Sequence, residues 1–567
     1  MKKIAFGISL ILILSVGLEA RAASVGDVRS FSIDQEYDLN ARPTTQAVLT
    51  YSAQNLYFYI DNNWWNGLDS SARLSIGSSI NSLAEEFTNK IYPTLTQAFG
   101  SEWNPGIDKD EKITILIHPM KEDVGGYFNS ADEYPKAQIP LSNEREMIYL
   151  NSNFIDKPQV KYFLGHEFVH LITFYQKEKI YGVSEEVWLN EARAEYGSTL
   201  LGYDNIYEGS NLQRRIRNFL DKPTDSITEW QGKSYDYGVL NIFTQYLVDQ
   251  YGKEVLTESL RLRKTGIESL NETLSKKGFV DSFSQIFTNW TVAVLVNNCD
   301  FGPRYCYKNP NLINFRITAT PNFLPMSGES MLSVTSSEKQ WSGNWQKFVG
   351  GRGDLTLQFK GISGASFKIP YIVEDTLGNY TISFLQLDSN KNGTITVPKL
   401  GIKNISLIII PTISSKISNF SSEEESFSFS WQATTRDESV PDETEIMNKL
   451  LLKIEELKKE IAIVQAQLSS RNGGNGEFSC GKFQTNLYFG IRQNQEVRCL
   501  QEFLKSQGGG IYPDGLVTGN FLNATKSAVV RFQEKYASEI LFPVGLQAGN
   551  GYVGSKTREK INSILGR

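Results

Sequence analysis

The sequence predicts a multidomain protein. A mixed α+β domain is expected over residues 23–328 and an all-β sandwich over 329–435. A linker with a short coiled-coil helix follows over 436–475, then a small three-helix domain over 476–567. At 567 residues the chain is too long for one hydrophobic core. Helical apolar spacing gives way near residue 329 to period-two alternation. A heptad seam and the glycine run Asn472-Gly473-Gly474-Asn475-Gly476 then set off the last segment.

Charge and ends come next. The formal net charge of −6 gives no basis for nucleic-acid binding. Residues 1–22 have the layout of a secretory signal. Lys2 and Lys3 are followed by the apolar run from Ile8 to Val16, and Ala20-Arg21-Ala22 offers small residues for cleavage. No cysteine follows, which argues against a lipid anchor. No later stretch has the ~18 apolar residues of a membrane span, and Ile405 to Ile410 is far too short. A secreted or cell-envelope location is therefore expected. Cys299 with Cys306 and Cys480 with Cys499 each fall within one predicted domain, so two local disulfides are expected, with free thiols the alternative.

Residues 23–65 look strand-rich, with Leu56 to Ile60 as a buried strand. Residues 69–99 carry a helical pattern that meets Pro93. Ile113 to Ile117 and Met147 to Leu150 read as strands. Gly125-Gly126-Tyr127-Phe128 is either a sheet edge able to take a substrate strand or a glycine loop. Asp108 and Asp110 could hold Ca²⁺, although a solvated turn fits them better. His118 is expected to be a structural or surface histidine.

The organising stretch is His166-Glu167-Phe168-Val169-His170, which uses two of only three histidines. Val160, Phe163, Leu164, Phe168, Leu171 and Phe174 recur at three- and four-residue steps, predicting a helix, with Asp156 as cap and Pro158 in the first turn. His166 and His170 then share one face and can hold one Zn²⁺. Glu167 stands where it can take a proton from a water that the metal activates. A buried amphipathic helix with two chance histidines is the competing reading. Trp188-Leu189-Asn190-Glu191 lies far enough downstream for a second helix to return Glu191 as third ligand. A His₂Glu set leaves one position open, the mark of a catalytic zinc site. Glu195, one turn on, is expected to accept an N–H from His166.

These motifs resemble the gluzincin metallopeptidases, and the WLNE segment resembles aminopeptidase N and above all the hyicolysin family of secreted bacterial peptidases. The resemblance covers about the first 300 residues and implies a zincin-like α+β catalytic domain that hydrolyses peptide bonds. Ser234-Tyr235-Asp236-Tyr237-Gly238 matches the Tyr-x-x-Gly of the aminopeptidase N family. That match carries oxyanion stabilisation onto Tyr235, with Tyr237 as second choice. The Gly-x-Met-Glu-Asn motif that holds a free amino terminus is absent, which favours an endopeptidase.

Beyond 329, Leu355 to Phe359, Ile395 to Val397 and Phe427 to Trp431 alternate as sandwich strands. Asp388 to Gly393 spaces its oxygens as a Ca²⁺ loop does, but lacks the closing glutamate and suits a hairpin turn. Met447, Leu450, Ile454, Leu457, Ile461, Val464 and Leu468 step as heptads, which suits a parallel dimer or a lone helix on a neighbouring domain. In the last segment Val497, Leu500, Gln501 and Leu504, then Gly515 and Gly519, then Thr525, Ala528, Val529, Phe532 and Gln533, and finally Gly551, Gly554 and Thr557 resemble a three-helix peptidoglycan-binding domain. Together these features point to a secreted zinc endopeptidase held at the cell wall, acting on protein or peptide and binding peptidoglycan. The alternatives are an inert envelope adhesin and a peptidoglycan hydrolase.

Overall fold

The computed structural model describes residues 23–326, 330–362, 364–436, 447, 450–455, 457–458, 461, 480–513 and 515–567. The expected signal segment, most of the linker and the glycine run lie outside them. The chain divides into two compact units, Met1–Val440 and Pro441–Arg567.

The first unit opens with β1 (Val28–Ser32), β2 (Thr44–Ser52) and β3 (Leu56–Asp61). One helical stretch follows, α1 (Ser70–Glu86), a π-turn at Phe87–Ile91 and α2 (Tyr92–Phe99). Pro93 falls in the first turn of α2. There the wider π-turn upstream accommodates a residue that donates no N–H, so the helix continues through the proline. Next come β4 (Ile113–His118), β5 (Gly126–Phe128) and β6 (Met147–Asn151). The sheet order is β1-β2-β3-β4-β6-β5, with β3, β4 and β6 parallel and β5 antiparallel at the edge. Strand alternation divides the side chains between two cores. Leu56, Phe58 and Ile60 meet the helices, while Tyr57 and Tyr59 join Phe31, Tyr127 and Tyr149 on the other face.

Helix α3 (Val160–Phe174) carries the histidine motif and is buried on most sides. Its start differs from expectation. Gln159 is the N-cap and offers no side-chain bond, and Asp156 instead pairs with Lys157 at 3.1 Å. The first free N–H groups are met by carbonyls, Val160 N donating to Lys157 O and Tyr162 N to Gln159 O, so no side-chain cap is needed. Then come α4 (Val187–Leu200), α5 (Asn211–Asp221), α6 (Ser234–Tyr251) and α7 (Phe283–Val296).

The β region holds β7 (Thr320–Leu324), β8 (Ser330–Lys339), β9 (Gln346–Gly350), β10 (Gly353–Gly361), β11 (Phe367–Lys368), β12 (Pro370–Asp375), β13 (Tyr380–Phe384), β14 (Asn392–Leu400), β15 (Asn404–Ile409), β16 (Thr412–Ile413) and β17 (Ser426–Arg436). It begins nearer residue 320 than 329. Nine of these strands form a single sheet where two stacked sheets were expected. Its halves, β14-β10-β17-β8 and β13-β12-β15-β9-β7, meet through one parallel pair, Leu400↔Asn404, and enclose a common core. The short connection at 401–403 keeps β14 and β15 side by side, which joins the two layers at one corner. Strand β15 is covered on both faces. Leu407 and Ile409 enter the β core, while Ile408, followed by Ile410, enters the helical core with Trp341 and Trp345. That double burial accounts for the apolar run at 405–410, and it makes the β region and the helices one body.

Both suspected Ca²⁺ loops use their carboxylates internally. Asp108 and Asp110 accept the amides of Asp110 and Lys112, and Asp388 accepts those of Asn390 and Asn392. Cys299–Cys306 and Cys480–Cys499 are disulfides. Among the described residues no helix is long and apolar enough to cross a membrane.

In the second unit Met447, Leu450, Ile454, Leu457 and Ile461 are helical and exposed; Val464 and Leu468 lie outside the described residues. The terminal part contains α8 (Gln495–Ser506), α9 (Asn523–Lys535) and α10 (Ser555–Ile564) around an apolar core. It also contains an internal repeat. Gln501 accepts the amides of Thr518 and Gly519 and donates to Asn520 O and Thr525 Oγ1. Gln533 accepts those of Asn550 and Gly551 and donates to Tyr552 O and Thr557 Oγ1. Each member of the second set stands 32 positions after its counterpart, 501 to 533 and 525 to 557 alike.

Candidate metal centre

Helices α3 and α4 approach at small residues. A Cβ on Gly197 would stand 3.4 Å from Val169 Cγ2 and 4.0 Å from Gly165 O, and one on Gly165 would stand 3.0 Å from Leu201 Cδ1. This close crossing lets the short Glu191 side chain reach both histidines. Glu191 Oε2 lies 3.2 Å from His166 Nε2, and Glu191 Oε1 lies 3.6 Å from His170 Nε2. One ligand atom from each of the three residues falls within 4.8 Å of the others. A tetrahedral ion with bonds of about 2.0–2.1 Å holds its ligand atoms roughly 3.3–3.4 Å apart. The two spacings to Glu191 come close to that value, and two imidazoles and one carboxylate are a donor set of the kind that holds Zn²⁺.

Glu195, one turn beyond Glu191, stands behind His166. Its Oε1 lies 3.4 Å from His166 Nδ1. The carboxylate is itself held by Arg215, whose Nε and Nη2 reach it at 2.7 and 2.5 Å, and by Asn211 and Asn241 at 2.9 and 3.3 Å. Burial opposes the charge on Glu195, but Arg215 and then His166 outweigh it and hold the carboxyl well below its ordinary range. Burial likewise opposes a charge on His166, and the hydrogen bonds to Glu191 and Glu195 overcome it and raise the imidazole to about 10. His170 has no equivalent support, and its buried Nδ1 makes no hydrogen bond.

Glu167 lies between α3 and the sheet edge. It accepts the amide of Phe128 in β5, and Gly126 backs onto its Cγ, where a Cβ would stand 3.4 Å away. Burial raises its carboxyl above the ordinary range, against the pull of the two imidazoles. Strand β5, from the Gly125–Phe128 segment, is thus a sheet edge beside the helix that carries the candidate metal ligands His166 and His170.

The two tyrosines at the start of α6 part company. The Tyr235 hydroxyl donates to Gln231 Oε1 at 3.1 Å near the surface, and Lys222 Nζ sits 4.1 Å from its ring centroid. Tyr237, two positions on and so about 200° around the helix, turns inward. Its ring centroid is 6.3 Å from that of His166, with the Arg215 guanidinium 4.4 Å over it and Trp230 edge-on at 4.8 Å. Burial raises its phenol, and the Glu191 charge adds to the effect. Of the two, Tyr237 is the one whose ring lies near His166. His118, the third histidine, is fully buried beside Asp38 at 3.3 Å.

Sequence reasoning did not single out Gly165, Gly197, Arg215, Asn211 or Asn241. The spacing of Arg215 from Glu195 carries no motif, because the two meet across a helix pair. The paired glycines were a usable signal of close helix contact.

No family model matches the chain, and no curated protein matches it. Among solved structures, the pre-peptidase C-terminal domain of a Bacillus anthracis collagenase shares 8% identity over 20% of this chain and 96% of its own, with a TM-score of 0.15. The Yersinia pseudotuberculosis-derived mitogen shares 11% over 20% of this chain and 91% of its own, at 0.14. A periplasmic inhibitor of g-type lysozyme from Aeromonas hydrophila shares 10% over 21% of this chain and 98% of its own, at 0.14. Likenesses at these scores carry no argument about fold or function.

Proposed function

We propose that the protein is a secreted zinc endopeptidase of the gluzincin type, with a zincin-like catalytic domain and a C-terminal segment that binds peptidoglycan and retains it at the cell wall. The observation that carries the reading is the convergence of His166, His170 and Glu191, one ligand atom of each within 4.8 Å of the others, with Glu167 next to His166 in the chain.

In this reading His166, His170 and Glu191 hold Zn²⁺, which when bound polarises the substrate carbonyl and acidifies water. Glu167 takes the proton of the attacking water on its carboxylate and passes it to the leaving amine. Glu195 fixes the His166 ring through Nδ1, and Arg215 fixes Glu195. Tyr237 donates its hydroxyl to the oxyanion that develops on the former carbonyl oxygen. The free edge of β5 takes the peptide as an added strand, so that the scissile bond lies against α3. The anchoring part rests on the resemblance of residues 497–557 to wall-binding domains.

The test combines metal analysis with a digest of denatured protein, with and without chelator, and cleavage sites read by mass spectrometry. One zinc per chain and chelator-sensitive cleavage are expected. Glu167→Gln should keep zinc and lose about 10²- to 10⁴-fold in turnover. A zinc-free protein, or a Glu167→Gln variant with near-normal turnover, overturns the reading. Equal pelleting with sacculi of the full chain and of one ending at Thr435 removes the anchoring role.

A further inference from the structure

The loop between β1 and β2 is held by a buried charge network that its own length does not require. Asp38 accepts the amides of Asn40 and Arg42, and the Arg42 guanidinium bridges Asp38 and Asp61 at 2.7 Å each. His118 lies against the same Asp38 carboxylate. Both aspartates are buried. The loop is also stitched to the segment after β4, with Leu39 N donating to Pro119 O and Lys121 N to Tyr37 O. Asp34 N donates to the Tyr127 hydroxyl of β5. Buried ion pairs contribute little net stability but fix position strongly. What they fix here is Tyr37.

Tyr37 is 38% exposed, and its ring lies 4.9 Å from that of Tyr127. Tyr127 points to the face of the sheet opposite α3, whereas Gly126 and Phe128 face α3 and Glu167. A peptide added along the edge of β5 presents alternate side chains to these two faces. Those on one face meet the metal side, and those on the other meet Tyr37. After burial, the influences that raise the Tyr37 phenol are four carboxylates, Asp34, Glu167, Glu191 and Glu36. Asp34 and Glu36 lie on the same loop as Tyr37, Glu36 N donating to Asp34 Oδ1 at 2.8 Å, and exposed Leu39 stands two positions beyond it.

Building on the peptidase reading, we propose that Tyr37 is a specificity residue that selects a Lys or Arg side chain on the substrate, at the position facing away from the metal. The aliphatic stem of such a side chain covers Tyr37 and Leu39, and its cation lies over the ring near Asp34 and Glu36. Asp or Glu at the same position meets the like charges of Asp34 and Glu36.

The experiment is a digest of a denatured protein mixture by the zinc-loaded full chain and by Tyr37→Ala, Tyr37→Phe and Glu36→Gln, with zinc content measured for each. Wild type should show Lys or Arg enriched at one fixed position near the cut. Tyr37→Ala should reduce that enrichment about tenfold, within the range of a cation–ring contact. Tyr37→Phe, which keeps the ring, should reduce it less, and Glu36→Gln should weaken it in part. A general loss of rate with the cleavage profile intact overturns the proposal, as does a wild-type profile with no basic preference. Zinc-loaded wild type that cleaves nothing removes the peptidase reading itself, and this inference with it.

Discussion

Two buried polar clusters in this chain obey opposite rules. In the C-terminal unit Gln501 and Gln533 each have both ends of the amide fully bonded, to two backbone amides on one side and a carbonyl and a threonine hydroxyl on the other. Around His166 the buried groups converge and are unevenly satisfied, Glu195 being bonded by Arg215, Asn211 and Asn241 while other groups are not. Three carboxylates and two imidazoles gather there, Glu191 faces two rings at 3.2 and 3.6 Å, and His170 Nδ1 is unbonded. A satisfied polar group holds a loop in place. A cluster that crowds like charges and leaves a buried polar atom unbonded costs stability, which marks it as a candidate for binding or chemistry. The difference separates scaffold from site within one chain.

The comparison breaks most sharply at the two tyrosines of α6. Tyr237→Phe removes a hydroxyl from the convergent cluster, and kcat on an unfolded protein substrate should fall about 10²- to 10³-fold with little change in KM. Tyr235→Phe removes one near-surface hydrogen bond and should leave kcat near normal. Steady-state kinetics of the two variants decide the matter, and the opposite ranking would return the role to Tyr235.

Glu195→Ala gives a smaller effect. It frees His166 Nδ1 and leaves Arg215 buried without its carboxylate, so zinc affinity should fall about 10- to 100-fold. Competition with a chromogenic chelator measures this without reference to turnover. Unchanged affinity would mean that Glu195 serves packing alone.

The smallest effect is expected on the scaffold side. Gln533→Leu leaves the amides of Asn550 and Gly551 unbonded and should destabilise the local fold by about 1–3 kcal/mol. Hydrogen exchange on the full chain should show faster exchange across residues 523–564, with zinc content and peptidase rate unaffected. A drop in zinc content would break the division between scaffold and site.

Legibility followed the range of the interactions. The spacing of His166 and His170 is an i, i+4 relation, so the sequence predicts their shared face before any folding. The heptad steps and the period-two strands are local in the same sense. Helix starts were less legible, as Asp156 shows, because backbone carbonyls from a preceding turn can replace a capping side chain. The 32-residue repeat was present in the sequence, but its Gln–Gly–Thr pattern gains meaning only when one side chain is seen to bond four partners.

What the sequence determined by itself is the identity of the zinc-ligand candidates and the alternation that splits β3 and β15 between two faces, since both follow from helix and strand period. Only the tertiary structure decided how close Glu191 comes, which tyrosine turns inward, that Arg215 stands behind Glu195, and that Tyr37 overlooks the sheet edge. Each of these joins residues from different elements. Their distances depend on how helices cross and loops are pinned, and no spacing along the chain encodes that.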